Sequence, residues 1–251
     1  MSMERTEDLL RRRLEELAGR GAFQACFSAF LSPPEAAMAQ AAAGAQGVAV
    51  HFSGGYEEAE RCMACFCPRD EQPPPYEIAA LEIAWPHQTA PTHRDLLGAA
   101  MGLGLKRACL GDIVLEADRA FLFAQAAIAQ HIAEALSTAG HTHLKVRVLD
   151  VLPQVTPPQG RELRLTVSSL RLDAVAGGGY GLSRATAQEL IRSGRVKLRH
   201  RVELRPDAHV TAGDTISARG FGRLRVEEIL PPTKKGRLPL RLTRYGESRK
   251  A

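Results

Sequence analysis

Two proline-rich breaks constrain this chain most. Proline has a fixed φ and no N–H to donate, so it cannot continue a helix or a central strand. Pro73-Pro74-Pro75 and the stretch from Pro153 to Gly160, which holds three prolines, therefore read as boundaries. They divide an α+β chain into expected domains at 1–75, 76–152 and 161–251, with the second break as a linker. The 251 residues with 45% hydrophobic content suffice for two or three small cores. No run of eighteen apolar residues occurs, and Met1-Ser2-Met3-Glu4-Arg5 is too charged to open a signal peptide. A cytoplasmic protein without membrane contact is expected.

Hydrophobic spacing assigns elements inside each stretch. Leu10, Leu14 and Leu17 mark a first helix, and Phe23, Phe27 and Phe30 a second. Ser32-Pro33-Pro34-Glu35 is a capping-box pattern with proline at the first helical position, so a third helix should run to Gly44. A strand near Val48 to Phe52, a Gly54-Gly55 turn and a strand from Cys62 to Cys67 complete a small N-terminal α/β domain.

From Tyr76 to Asp150 the order reads strand (78–84), helix (94–101), strands (113–116 and 120–123), helix (125–139) and strand (144–149). Asp118 and Arg119 sit in the hairpin turn, and Gly140 closes the second helix. This βαββαβ order predicts a ferredoxin-like sandwich. RNA-recognition domains share that topology but stack bases on sheet aromatics. Only Phe121 and Phe123 are available here, one expected on each face, so the aromatic signature is missing. His93 and Arg94, donors at a helix start, are a second candidate RNA contact.

Charge is distributed unevenly. From Arg171 onward there are 18 Lys and Arg against 8 Asp and Glu, a net of +10, while the preceding residues hold 15 against 20, a net of −5. Such asymmetry points to a polyanion partner for the tail. Ser183 is a plausible N-cap and Gly194 a stop, giving a helix over 184–193 with Ala187, Leu190 and Ile191 on a core face. Arg184, Gln188 and Arg192 lie along an exposed face. Val196 and Leu198 alternate with Lys197 and Arg199, Leu224 and Val226 with Arg223 and Arg225, and Leu238, Leu240 and Leu242 with Arg237 and Arg241. The expected sheet is apolar on one face and rich in guanidinium groups on the other. Arginine's planar fork suits phosphate. The tail's few aromatics, Tyr180, Phe221 and Tyr245, favour structured RNA over stacked single strands. The donors expected to face RNA are Arg171, Ser183, Arg184, Gln188, Arg192, Arg195, Lys197, Arg199, Arg201, Arg223, Lys234 and Lys235.

Catalytic and metal patterns fail on inspection. Of the five cysteines, Cys62-Met63-Ala64-Cys65 has the spacing of half a zinc site, but no second pair follows. A strand with Cys62, Ala64 and Phe66 on one face and Met63, Cys65 and Cys67 on the other fits better, cysteine serving as a small apolar residue. Disulfides are not expected in a reducing compartment. His93-Arg94-Asp95 lacks the metal-binding partners of a kinase loop, so Thr92 reads as a cap with Asp95 in the first turn. Gly102-Leu103-Gly104 follows a helix instead of a strand and lacks a third glycine. Gly177-Gly178-Gly179 reads as the end of a short helix begun at Arg171. No catalytic residue, metal or small-molecule cofactor is expected.

The tail's Arg171-Leu172-Asp173, Leu182-Ser183-Arg184, Gly194-Arg195-Val196-Lys197 and Gly213-Asp214 resemble the S-four RNA-binding module. With Ala187-Gln188-Glu189-Leu190-Ile191, Arg219-Gly220-Phe221-Gly222-Arg223 and Thr233-Lys234-Lys235-Gly236-Arg237 they resemble the YlmH family of bacterial S-four proteins. Upstream, Phe52-Ser53-Gly54-Gly55-Tyr56, Ala59-Glu60-Arg61, His93 through Ala99 and Gly102-Leu103-Gly104 extend the resemblance over nearly the whole chain. It implies a C-terminal S-four-like α+β domain and a cytoplasmic, non-enzymatic, monomeric protein. It also implies docking on rRNA or tRNA of the ribosomal large subunit, a role in rescue or quality control of stalled ribosomes, and a link to cell division. Arg199 stands where many S-four modules carry Asn. The competing expectation is an RNA-modifying enzyme of pseudouridine synthase or methyltransferase type that uses the module for targeting.

Overall fold

Where the hydrophobic period changes along the chain, the secondary structure changes with it, giving an α+β protein. The structure is a computed structural model describing residues 3–86, 90–155 and 160–245. It forms two compact units, Met1–Pro157 and Pro158–Ala251. Among the described residues no helix is long and apolar enough to cross a membrane.

The first unit opens with α1 (Met3–Gly21), β1 (Cys26–Leu31), α2 (Pro33–Gln46), β2 (Ala49–Ser53) and β3 (Cys62–Cys67), and its first sheet has the antiparallel order β1-β3-β2. At the start of α2 the Glu35 carboxylate accepts hydrogen bonds from the Ser32 N–H and hydroxyl, both at 2.6 Å. The helix expected over Phe23, Phe27 and Phe30 is instead β1, and Phe23 is exposed. The β1–β3 register slips between Phe27 and Phe30, and both rings join one hydrophobic cluster. A bulge restores one face after an odd number of residues, which imitates helical spacing. Along β3, Ala64 and Phe66 pack with α1 and α2, while Met63 packs with Phe30. Its cysteines are free thiols. Burial pushes Cys62 and Cys65 up to about 11, so both stay protonated near neutrality. Among the described residues no cluster of His, Cys, Asp or Glu could hold a metal ion.

The unit continues with β4 (Ile78–Ala84), α3 (His93–Gly102), β5 (Leu110–Leu115), β6 (Arg119–Gln125), α4 (Ala126–Ala135), β7 (Thr138–Ala139), β8 (Thr142–His143) and β9 (Lys145–Val148). The antiparallel order β5-β6-β4-β9 is the ferredoxin-like arrangement. Two local expectations are corrected. Helix α4 ends at Ala135 because Leu136 and Ala139 turn into the core, and Gly140, at φ 58°, turns the β7–β8 hairpin instead of capping the helix. Phe121 and Phe123 share a face, as residues two apart in a strand must. That face packs with Phe30 and Met63, while Leu81, Ile83 and Leu122 face α3 and α4. Residues 1–75 and 76–152 thus lie in one compact unit and share a core. In α3, Asp95 accepts from the Thr92 N–H and hydroxyl, as the capping reading predicts.

A polar joint ties the two sheets. At the β5 bulge the Asp112 carboxylate accepts from the Tyr56 hydroxyl at 2.9 Å and from the Glu60 and Arg61 N–H groups at 2.7 and 3.2 Å. Arg61 donates to the Leu110 and Phe30 carbonyls, and Arg107 to the Gly111 carbonyl. Burial and the Asp112 charge raise the Tyr56 phenol well above its ordinary value, so it remains a donor. The Gly54-Gly55-Tyr56 and Glu60-Arg61 segments are thus spent on structure. A methyl on Gly54 would sit 2.3 Å from Ala59 Cβ and 2.5 Å from the Arg61 carbonyl oxygen.

The second unit holds β10 (Arg161–Val167), α5 (Leu172–Tyr180), α6 (Arg184–Arg192), β11 (Val196–Leu198), β12 (Arg201–Val202), β13 (Thr215–Ala218), β14 (Gly222–Ile229) and β15 (Leu238–Tyr245). Its antiparallel sheet runs β10-β15-β14-β13-β11-β12. Both helices pack on the face that carries Val196, Ile216, Leu224, Val226, Leu240 and Leu242. The Gly177-Gly178-Gly179 run forms the last turn of α5, whose N-cap is Arg171 as expected, and glycine is needed there because the helix approaches the sheet closely. A methyl on Gly178 would meet Leu165 Cδ1 at 2.3 Å, and one on Gly179 would meet Leu224 Cδ1 at 2.4 Å. Gly181, at φ 71°, terminates α5.

Two buried carboxylates brace this unit. Asp173, with no solvent exposure, accepts from Arg171 Nε at 3.2 Å, Arg184 Nε at 3.1 Å and Gln188 Nε2 at 2.7 Å. Asp214 is gripped by both arms of Arg199, at 2.6 and 2.8 Å, and by the Thr211 N–H. Arg199 (φ 51°) and His200 (φ 66°) form the two-residue β11–β12 turn. Such a turn needs positive φ at both positions, which Asn or Gly adopts more cheaply. The bidentate pair with Asp214 offsets the strain at Arg199. At Asp173, burial raises the carboxyl, but the donors outweigh it and hold it at about 2; Asp214 is lowered in the same way.

Two outcomes follow from these arrangements. Gly54→Ala should cost about 1–3 kcal/mol of stability, the range for forcing a methyl into packed surroundings. Gly44→Ala, whose methyl meets nothing within 4 Å, should be neutral or stabilising by about 0.5–1 kcal/mol. Urea midpoints compare them, and equal midpoints would contradict the joint. The second concerns acid. A carboxyl lowered from 3.8 to about 2 on folding stabilises the protein fully above pH 3.8, and that contribution is lost as pH falls toward 2. Melting of the parent and of Asp173→Asn between pH 5 and 2 should converge, the parent losing more; parallel curves would refute this.

Candidate nucleic-acid interface

The structure separates the expected RNA donors into those already engaged and those left open. Arg171, Arg184 and Gln188 converge on Asp173, and Arg199 on Asp214. Ser183 caps α6 by accepting from the Thr186 N–H at 3.1 Å. The expectation that Arg184 is a free donor on the exposed face of α6 is thereby corrected. A buried carboxylate must be paired, and Arg184 lies one turn from Gln188 above it. Its side chain is still 58% exposed, so guanidinium N–H groups remain for a ligand.

The guanidinium-rich sheet face is also more balanced than its arginine content suggests. Arg225 pairs with Glu227 at 3.6 Å, Arg241 with Glu228 at 3.1 Å, and Arg164 with Glu162 at 3.7 Å. Lys234 and Lys235 lie in the exposed loop joining β14 to β15, at the opposite end of that strand pair from Arg223. The structure does not bring them to the other donors. Arg201 is exposed on the edge strand β12.

Net positive charge gathers instead where α6 hands over to β11. Gly194, at φ 71°, reverses the chain there, and the Arg219 N–H donates to the Arg195 carbonyl at 3.0 Å. Arg195, Lys197 and Arg219, with Ser193, Gly194, Ser217 and Ala218, line an open hollow of about 500 Å³. Among the described residues none of these three cations makes an ion pair with an acid. Cross-strand pairing extends the row from Lys197 through Ser217 and Arg223 to Tyr245, and the Arg223 guanidinium lies over the Tyr245 ring at 4.7 Å. Exposed Arg192 ends α6 beside the hollow. Arg195, Lys197 and Arg219 on this concave surface concentrate a positive field, which suits a phosphate backbone.

Arg219 is the residue that the sequence reading leaves out of the site. Its signal is the Arg-Gly-Phe-Gly-Arg run, whose Gly220 and Gly222, at φ 90° and 87°, make the β13–β14 turn that aims Arg219 back at Arg195. In the first unit, His93 and Arg94 stand at the start of α3. Desolvation and the neighbouring Arg107 lower the His93 imidazole, leaving it neutral near pH 7 and a poor phosphate partner.

Comparison with known proteins places this geometry. A family model described as "Putative RNA-binding domain in YlmH" matches residues 71–152. The ribosome-associated protein quality control protein P2 of Bacillus subtilis (strain 168) is 38% identical over 210 residues, 82% of each chain. A solved structure, the cell division protein ylmH from Streptococcus pneumoniae, superposes with a TM-score of 0.50 at 21% identity. It covers 59% of this chain and 93% of its own, which is a likeness of fold. With more than a third of residues identical over four-fifths of both sequences, the chain belongs to the YlmH family.

Proposed function

We propose that this protein binds RNA and associates with the ribosome, and that the Pro158–Ala251 unit is its principal grip. The observation that carries this reading is the hollow of Arg195, Lys197 and Arg219, cations without acidic partners among the described residues, at one end of a sheet on which Arg164, Arg225 and Arg241 are paired with acids. Structured RNA, rRNA or tRNA on the large subunit, supplies the fixed phosphate spacing that such a rigid cluster suits. Arg192, Arg201, Arg223 and the outward N–H groups of Arg171 and Arg184 extend the contact. The relative's name, ribosome-associated protein quality control protein P2, supports a role in quality control at the ribosome, and the proposed setting is the stalled large subunit in the cytoplasm, with a link to cell division. The role is one of binding, as a monomer, with no catalytic step.

Substitutions separate grip from scaffold. Arg195→Ala with Lys197→Ala and Arg219→Ala should weaken binding to tRNA and to isolated large subunits at least tenfold at physiological salt. It should flatten the salt dependence of log K by about 2–3, near 0.9 per lost phosphate contact. Stability should change by less than about 0.5 kcal/mol per substitution. Arg184→Ala should instead lower stability by about 1–3 kcal/mol, because it strips a donor from buried Asp173. Filter binding across a salt series, with thermal melts of the same samples, decides between them. Unchanged affinity in the triple variant would sink the assignment.

A further inference from the structure

The tail reading leaves residues 71–152 without a contact surface, although the matching family description names RNA. In a βαββαβ sandwich the usual platform for bases is the sheet face away from the helices. Here Phe121 and Phe123, 5% and 0% exposed on that face, are covered by Phe30 and Met63. The opposite face lies under α3 and α4. Among the described residues, what stays open is the end of the sheet where β4 leaves and β9 begins.

At that end Ala84, Trp85, Pro86, His143, Leu144 and Lys145 line a hollow of about 430 Å³, within the roughly 300–1,000 Å³ typical of ligand pockets. Trp85 follows the last residue of β4 and is anchored in the helix-side core, so its indole is a rigid wall. The β7–β8 hairpin carries exposed His143 to the hollow, and exposed Lys145 opens β9. Lys145 makes no ion pair among the described residues. Ala84 pairs across the sheet with both Lys145 and Arg119, and the next row sets Glu82 against Arg147. Glu82 bridges Arg119 and Arg147 on the strand face opposite Trp85, so one carboxylate sits between two guanidinium groups and that neighbouring face keeps positive charge.

We propose that this hollow holds an unpaired nucleobase of single-stranded RNA. The base lies against the apolar wall of Trp85, Pro86 and Leu144, His143 meets its polar edge, and Lys145 at the rim takes a flanking phosphate. A flat apolar ring joined to phosphates matches both halves of the site. An acidic peptide matches only the charge, and a paired base hides the surfaces that the hollow would contact. This site is separate from the tail hollow and does not depend on it.

Trp85 is the sole tryptophan of the chain, so intrinsic fluorescence reports on this hollow. The full-length protein carrying Arg195→Ala, Lys197→Ala and Arg219→Ala is titrated with a short random-sequence single-stranded RNA pool, with the same pool annealed to its complement, and with polyglutamate. The expected result is a saturable change in Trp85 emission with single-stranded RNA. It should be weaker with duplex, absent with polyglutamate, and shifted about tenfold to higher RNA by Lys145→Ala. Lys145→Gln should reproduce that shift, with the emission of the RNA-free protein unchanged. Overturning results are no emission change at RNA concentrations that saturate the unsubstituted protein, an equal response to polyglutamate, or a response lost with the tail substitutions. A retained Trp85 response in a triple variant whose affinity for tRNA and large subunits is unchanged would reject only the tail assignment and leave this inference standing.

Discussion

A carboxylate buried without solvent access has to be paired, and Asp173 imposes that requirement on the second unit. Three donors meet it: Arg171 just before α5, and Arg184 and Gln188 on successive turns of α6. The pairing sets how the two helices lie against one another and decides which arginines are free for a partner. Asp214 repeats the device on the sheet side through Arg199, where it also secures a strained turn. With these arginines committed, the charge that can grip a polyanion is displaced to Arg195, Lys197 and Arg219, around the turn that follows α6.

The first unit follows a different constraint. Its four-stranded sheet buries both faces, one under its own helices and the other against β1 and β3. Closing the second face gains apolar burial, the dominant stabilising term in a chain with few aromatics. It also removes the open platform that this topology otherwise offers to bases. Asp112, Tyr56, Arg61 and Arg107 hold the closure by satisfying carbonyls and amides at the bulged strand ends. Polar residues in a motif are here spent on architecture.

Much of the fold was legible because the local signals are strong. The βαββαβ order followed from period changes between turn residues, α2 from its capping box, and α6 from Ser183 and Gly194. The misreadings have physical causes. Phe27 and Phe30 share a cluster only through a bulge, which no period reveals. Phe121 and Phe123 were split between faces although a two-residue repeat puts them together. Gly178 and Gly179 do stand in the last turn of α5, but close approach to Leu165 and Leu224, which no local pattern reveals, is what excludes a side chain there.

The sequence by itself determined the class of this protein: three stretches bounded by proline, a basic tail with a helix and alternating strands, and motifs that carry the family. Those features are local, set by backbone sterics, capping and side-chain periodicity over a few residues. Which cations are open was decided only by the tertiary structure. Pairing depends on where distant acids lie: Asp173 removes Arg184 from the free set, Glu227 and Glu228 neutralise Arg225 and Arg241, and the Gly220 turn brings Arg219 beside Arg195. Charge is written along the chain, but its availability to a partner is a property of the folded surface.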